Sequence, residues 1–352
     1  MKLRKYTILT LFLFLFSTLC LNGCASSRPE PATPYDGTDY VRESELLSYD
    51  LADYETIPTN PNGSLSVPTY ITRLDDQYFI VDCYHNQVIY HDNLTDPLYL
   101  WKVMTNDLSM GHTIASDGNV YLIDDTENNR VLIMEKMQNN SDETVYVPTQ
   151  EFTGIGNRPH YIIYDDYTDT FYAWSSQSGE MFLFRHTDDS TRMYLTKIFS
   201  IPELDGVYVR SFTILDDRIY FVSGNSNIIE ADLYTFEVLN RYPVPDAIAG
   251  MIQLEKIQNY YYITVSTDIT GNQDFATLIR VKHLKDLEKG NYEDVYASFL
   301  GGGTPYSLTQ IDDRYYLTEH RLPGHSIWSF RVENDEITDV EAIYSVSYTH
   351  LR

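Results

Sequence analysis

Cysteine is scarce: three in 352 residues, at positions 20, 24 and 83. That is too few for a disulfide framework, so a body of this size must be held by core burial. Basic charge is short as well, 25 Lys and Arg against 51 Asp and Glu. This excludes the cationic surface that nucleic-acid binding requires and argues against flat adsorption on anionic lipid. Beyond residue 21 no apolar run approaches the ~20 residues of a membrane-crossing helix. HExxH, CxxC and GxSxG segments are missing, so zinc-protease, thiol-redox and nucleophile-elbow chemistries have no motif to stand on. A long helical hydrophobic period is missing too, although Lys282 to Gly290 suits a short helical turn.

What is present begins at the N-terminus. Lys2, Arg4 and Lys5 precede an apolar run from Ile8 to Leu21, followed by Leu21-Asn22-Gly23-Cys24. The run has the length of a signal-peptide core rather than a membrane span. This segment resembles a bacterial lipoprotein signal with its lipobox, departing from the usual pattern at Asn22. The resemblance implies cleavage before Cys24, a diacylglycerol on its sulfur, and an extracytoplasmic body anchored to the bacterial membrane by acyl chains. Cys83 is then the only free thiol, read as a small buried hydrophobe. Three of the 25 basic residues and none of the 51 acidic ones lie in residues 1–23, so the remainder carries a net charge near −29. That charge suits solubility at a crowded surface.

The expected organisation is a signal peptide at 1–23, a lipidated Pro/Ser-rich tether at 24–42, a transition at 43–67, a repeated body at 68–346 and a tail at 347–352. The tether (ASSRPEPATPYDGTDY from Ala25) would reach ~45 Å if extended. Ser345 to Arg352 resembles a translated adapter sequence, with a genuine polar tail as the alternative.

From Pro68 onward one unit recurs: an apolar strand, an acidic turn and an aromatic strand. It reads YITRLDDQYFIVD from Tyr70, HTIASDGNVYLID from His112, HYIIYDDYTDTFYAW from His160 and SFTILDDRIYFVS from Ser211. The copy from Met251 (MIQLEKIQNYYYITV) lacks the acidic pair, and the sixth is YSLTQIDDRYYLTE from Tyr306. Starts are 42, 48, 51, 40 and 55 residues apart, the length of four strands with their loops. Short polar side chains at Asp75-Asp76, Asp117-Gly118, Asp216-Asp217 and Asp312-Asp313 suit tight turns. The pattern predicts an all-β, six-bladed β-propeller of four-stranded antiparallel blades, with a stacked pair of β-sandwiches as the alternative. The stretch Tyr121 to Leu132 (YLIDDTENNRVL) resembles the NHL type of propeller repeat, and Ile80 to Ile89 echoes it.

Propeller geometry places the Asp pairs on the inner-hairpin face. The opposite face is expected to gather His85, His112, His160, His320 and His325, joined near the pore mouth by Tyr70, Arg158, Arg210 and Tyr306. Tyr and His rings suit stacking on sugars or gripping peptide, and the arginines suit a carboxylate or phosphate; alternatively the rings simply plug the channel. The expected function is that of a cell-surface lipoprotein that binds a peptide, protein or saccharide on this face, not nucleic acid, with no cofactor. The alternative is a hydrolase or lactonase-like enzyme with a pore-bound divalent cation such as Ca²⁺, for which Asp82, Asp124 and Glu319 are the nearest carboxylates. That alternative rests on a fold-level resemblance to six-bladed lactonases and esterases. A third reading is a structural subunit of a surface complex. The loop Asp268 to Asp274 lacks the distal Glu of a calcium loop, and Gly301-Gly302-Gly303 precedes a strand rather than the helix a phosphate cradle needs.

Overall fold

Each apolar–turn–aromatic unit folds as the inner hairpin of an antiparallel sheet, and six such sheets form a β-propeller. The computed structural model describes residues 33–321 and 327–344. Blade 1 runs Pro68–Leu74, Gln77–Asp82, Gln87–His91 and Lys102–Thr105 from axis to rim. Blade 2 is Ile114–Ser116, Val120–Asp125, Arg130–Gln138 and Thr144–Thr153; blade 3 is Pro159–Asp165, Thr170–Ser175, Glu180–Arg185 and Tyr194–Ser200. Blade 4 is Val209–Leu215, Arg218–Ser223, Asn227–Asp232 and Val238–Pro243. Blade 5 is Gly250–Ile257, Tyr260–Thr267, Thr277–Val281 and Glu293–Asp294, and blade 6 is Thr304–Ile311, Arg314–His320, Ile327–Glu333 and Glu336–Ala342.

The turns follow from backbone chemistry. Asp75, Asp216 and Asp312 adopt left-handed φ of 52°, 56° and 54°, a region Asp and Asn tolerate better than most residues. Gln258 takes the same role in blade 5 at φ 50°, and the blade 6 turn supports it: Gln258 Nε2 donates to the Val332 carbonyl at 2.7 Å and its Oε1 accepts from Asp335 N at 2.8 Å. The NHL-like turns of blades 1 and 2 end on Asn86 and Asn129, both left-handed. Their side-chain oxygens accept from Met110 N at 3.0 Å and Arg158 N at 2.8 Å. Each turn therefore fixes the chain as it enters the next blade.

The core lies between blades, one apolar cluster per seam. Phe79 and Tyr90 of blade 1 meet Tyr121 and Tyr146 of blade 2, and Trp174 of blade 3 meets Phe221 of blade 4. Burying each such ring contributes about 1.5–3 kcal/mol. Among the described residues the ring closes without strand exchange, since blades 1 and 6 are each built from consecutive strands. Seam 6/1 is held by Ile71, Trp101, Ile311 and Ile327, by a Tyr344–Trp101 ring contact, and by an Arg73–Asp312 ion pair at 3.0 Å.

The segment before blade 1 forms a strap along the rim. Arg42–Glu43 pairs with the outer strand of blade 3, Glu45–Leu46 with that of blade 2, and Pro58 to Asn60 with blade 1 through Val103 N and the Trp101 carbonyl. Blades 2 and 3 thereby gain a short fifth strand.

Candidate functional site

The six inner strands enter the pore alike. In blades 1 and 3 to 6 the pairing slips at the start of the strand. Such a bulge lets two consecutive side chains face the axis at different depths. The upper tier is Thr69, His112, His160, Arg210, Ile252 and Tyr306, and the tier below is Tyr70, Thr113, Tyr161, Ser211, Gln253 and Ser307. In the lower tier, large side chains from blades 1, 3 and 5 alternate with small hydroxyl residues from blades 2, 4 and 6. Tyr70 and Tyr161 meet edge to face at 6.3 Å, and Gln253 Nε2 donates to Tyr161 Oη at 3.0 Å. The small residues stitch neighbours: Ile162 N donates to Thr113 Oγ1 at 2.8 Å and Ser211 Oγ donates to the Ile252 carbonyl at 2.6 Å. This tier plugs the axis, with a void of ≈10 Å³ above it, room for about one water.

Above the plug a cup of ≈260 Å³ opens, lined by His112, Arg158, Tyr208, Arg210, Tyr306 and His320, with Tyr84 and Gln273 also in its wall. Among the described residues that line it there is no carboxylate. The Arg210 guanidinium lies 5.0 Å from the Tyr208 ring and donates to Ser266 Oγ at 2.7 Å, so its direction is set. Arg158 pairs with Glu127 at 2.6 Å. Tyr306 faces His112 at 6.2 Å and His320 at 6.0 Å between ring centres. Burial, then Arg210 and Arg321, pushes the His320 imidazole down to about 4, so it is neutral at pH 7. Val67, Met110 and Arg158, which lead into the inner strands of blades 1 to 3, hold left-handed φ of 61°, 60° and 64° and all border the cup. Non-glycine residues in that region cost about 1–3 kcal/mol each, strain that gathers at functional sites.

The expected site residues divide accordingly. His112, Arg158, Arg210, Tyr306 and His320 come together in the cup. His160 is 2% exposed beneath it, stacked on His112 at 3.7 Å. It donates from Nδ1 to the Arg210 carbonyl at 2.9 Å and accepts from Tyr208 Oη at 3.2 Å, an arrangement assigned from its partners. Burial, His112 and Arg210 hold its pKa well below the usual range. Tyr70 is not at the mouth: the bulge gives that place to Thr69 and turns Tyr70 into the plug. His85 is not there either; it is tied at 2.6 Å to the buried Asp82. His325 and Cys24 lie outside the described residues. Tyr208 and Tyr84 were missed by sequence reasoning; the signal for Tyr208 is its place two residues before Arg210.

The three carboxylates nearest the pore are taken up by backbone amides and side chains of their own blades and of the segments leading into them. Asp124 accepts from the His112 and Thr113 amides at 2.9 and 2.6 Å, Asp82 from Ser66 N at 2.7 Å, and Glu319 from Tyr296 Oη and Trp328 Nε1 at 2.5 and 2.9 Å. No cluster of three or more His, Cys, Asp or Glu side chains suited to a metal occurs among the described residues. Cys83 lies 3.8 Å from His112 Nε2, and burial pushes its thiol pKa up, away from a reactive thiolate.

No family model matches the chain and no curated protein matches it significantly. Among solved structures it is similar to a protein from Bacteroides uniformis provisionally named a 6-phosphogluconolactonase, with TM-score 0.57 and 10% identity over 81% of this chain and 88% of that one. A second protein so named, from Bacteroides fragilis, gives TM-score 0.56 and 12% identity over 90% and 95%. At such identities the likeness carries the propeller fold and nothing of the chemistry.

Proposed function

We propose that the propeller is a binding scaffold whose cup takes a compact anionic ligand, a sugar acid or the carboxylate end of a peptide, at the outer surface of a bacterial membrane. One observation carries this reading. In a chain of net charge −26, the cup gathers two arginines and five aromatic or imidazole rings with no carboxylate among its described lining residues. Arg210 supplies a directed fork for two oxygens. Tyr208, Tyr306 and Tyr84 supply faces for a sugar ring or a peptide side chain. The cup falls just below the ~300 Å³ that drug-sized ligands occupy, which favours a single residue or monosaccharide. The membrane location rests on the segment Leu21 to Cys24 and is tested by mass spectrometry of the mature N-terminus, with Cys24→Ser abolishing acylation.

The binding test is calorimetric titration with glucuronate, glucose and a short peptide with a free or amidated C-terminus. The anionic member of each pair binds and the neutral one does not. Arg210→Ala then weakens binding about tenfold or more, as expected for loss of a charge-assisted pair. Equal binding of glucose and glucuronate would sink the reading. The hydrolase alternative is tested in parallel by melting with EDTA and with excess calcium. A bound ion would raise the midpoint by mass action, ~2.7 kcal/mol at a hundredfold excess over its dissociation constant.

A further inference from the structure

The other end of the pore carries chemistry that the cup does not use. Below the plug the inner strands enclose a funnel of ≈350 Å³. Its described lining holds one carboxylate, Glu255 of blade 5. Among the described residues no Lys, Arg or His pairs with it; the adjacent Lys256 is turned away, its ammonium 3.9 Å from the Tyr261 ring centre. In the same tier of blade 6, Thr309 is only 9% exposed and its Oγ1 has no hydrogen-bond partner. Tyr70, Tyr161 and Tyr164 line the same space. The funnel therefore contains a carboxylate without a counter-charge, an unused buried hydroxyl and aromatic walls, a combination that burial alone does not reward.

We propose that this funnel is a second ligand site and that it takes a primary ammonium group, with Glu255 as counter-charge, Thr309 Oγ1 as hydrogen-bond acceptor and the tyrosine rings as a cation-binding wall. An ammonium brings three donors and a compact charge, matching one carboxylate, one hydroxyl and π faces. A calcium ion fits poorly, because it seeks six to eight oxygens, usually with several carboxylates, whereas the funnel offers one. The room exceeds that of a bare ion and suits an alkyl amine or a lysine side chain. Binding is linked to a proton. Burial pushes the Glu255 carboxyl up to about 7, and the titratable groups facing it are phenols: Tyr70, raised to about 12, with Tyr161 and Tyr315, also raised. When the ammonium enters, protonated Glu255 releases its proton to solvent and the carboxylate forms the pair.

The purified full-length protein is titrated with 1,5-diaminopentane and with Nα-acetyl-lysine amide, which separate a free amine from a lysine side chain, and with 1-pentanol and calcium chloride as controls. At least one amine binds while pentanol and calcium do not, and its affinity rises several-fold from pH 6 to pH 8. Glu255→Gln keeps the shape, melts no lower, weakens binding about tenfold or more and flattens the pH dependence. Thr309→Val weakens binding but keeps the pH slope. The proposal is overturned if neither amine binds at about 10 mM, if Glu255→Gln binds as well as the parent, or if calcium alone binds with a Glu255 requirement.

Discussion

The two ends of one pore are built from the same six strands and carry opposite chemistry. The cup holds Arg158 and Arg210 and no carboxylate among its described lining residues, while the funnel holds Glu255 and no cation among its own. The Tyr70–Tyr161–Gln253 plug lies between them. The difference shows how little a strand needs to change character: the upper tier and the Glu255 tier are three residues apart in blade 5, from Ile252 to Glu255. The pore is thus two chambers of unlike charge, back to back and separated by the plug.

Removing the insulation is the largest perturbation. Tyr161→Ala leaves a hole in the plug beside Tyr70 and Phe212 and is expected to cost about 3–5 kcal/mol, read as a fall of several degrees in a calorimetric melt. An unchanged melting temperature would show that the plug is dispensable. Next in size is the charge contrast itself. Arg210→Ala is expected to lose about 1.5–3 kcal/mol of anion affinity, and titration with glucuronate measures it.

The two ends also differ in their response to pH. His160 and His320 are held neutral in the fold, whereas in the unfolded chain they protonate near 6.5. Between pH 6.5 and about 4 the unfolded state binds more protons, so their contribution is complete above 6.5 and is lost on acidification. Glu255 runs the other way. Its pKa rises from 4.5 to about 7, so its contribution is complete below 4.5 and is lost as pH rises through 7. Denaturant melts should show His320→Gln flattening the acid limb and Glu255→Gln stabilising by about 1–2 kcal/mol at pH 8, after allowance for partial exposure. The smallest effect lies at the cup's edge. Val67→Gly relieves a left-handed β-branched residue, and the gain, less the entropy of glycine, is about 0.5–1 kcal/mol.

The blades were legible because period-two hydrophobicity and acidic turns recur on a fixed spacing. The turn at Gln258 shows the limit, since its left-handed backbone is supported by Val332 and Asp335 of the next blade rather than by its own residue type. The cup was legible through His112, Arg158, Arg210 and Tyr306, which sit at inner-strand starts or in the adjoining loops, and through His320, which ends the second strand of blade 6. Tyr70 went to the plug because a bulge shifts register by one, and no residue type announces a bulge there. His85 was misplaced for a similar reason: a histidine three residues after a buried Asp is claimed by that Asp before it reaches the axis. Glu255 is not legible from the sequence, because its copy lacks the acidic turn and a lone Glu in a strand gains meaning only when its neighbours prove uncharged.

The strap has a mechanical consequence. Its two short strands lie antiparallel on the rims of blades 3 and 2, each by a register of two residue pairs. A pull on residue 33 therefore meets few hydrogen bonds at a time and peels the strap from blade 3 first, then blade 2, then blade 1. Among the described residues the ring behind it has no exchanged strand to anchor that pull, and the blades are joined by the interlocking of side chains at six seams. Tension from the N-terminal side falls first on these few rim hydrogen bonds, which makes this segment a fuse along half of the propeller's rim.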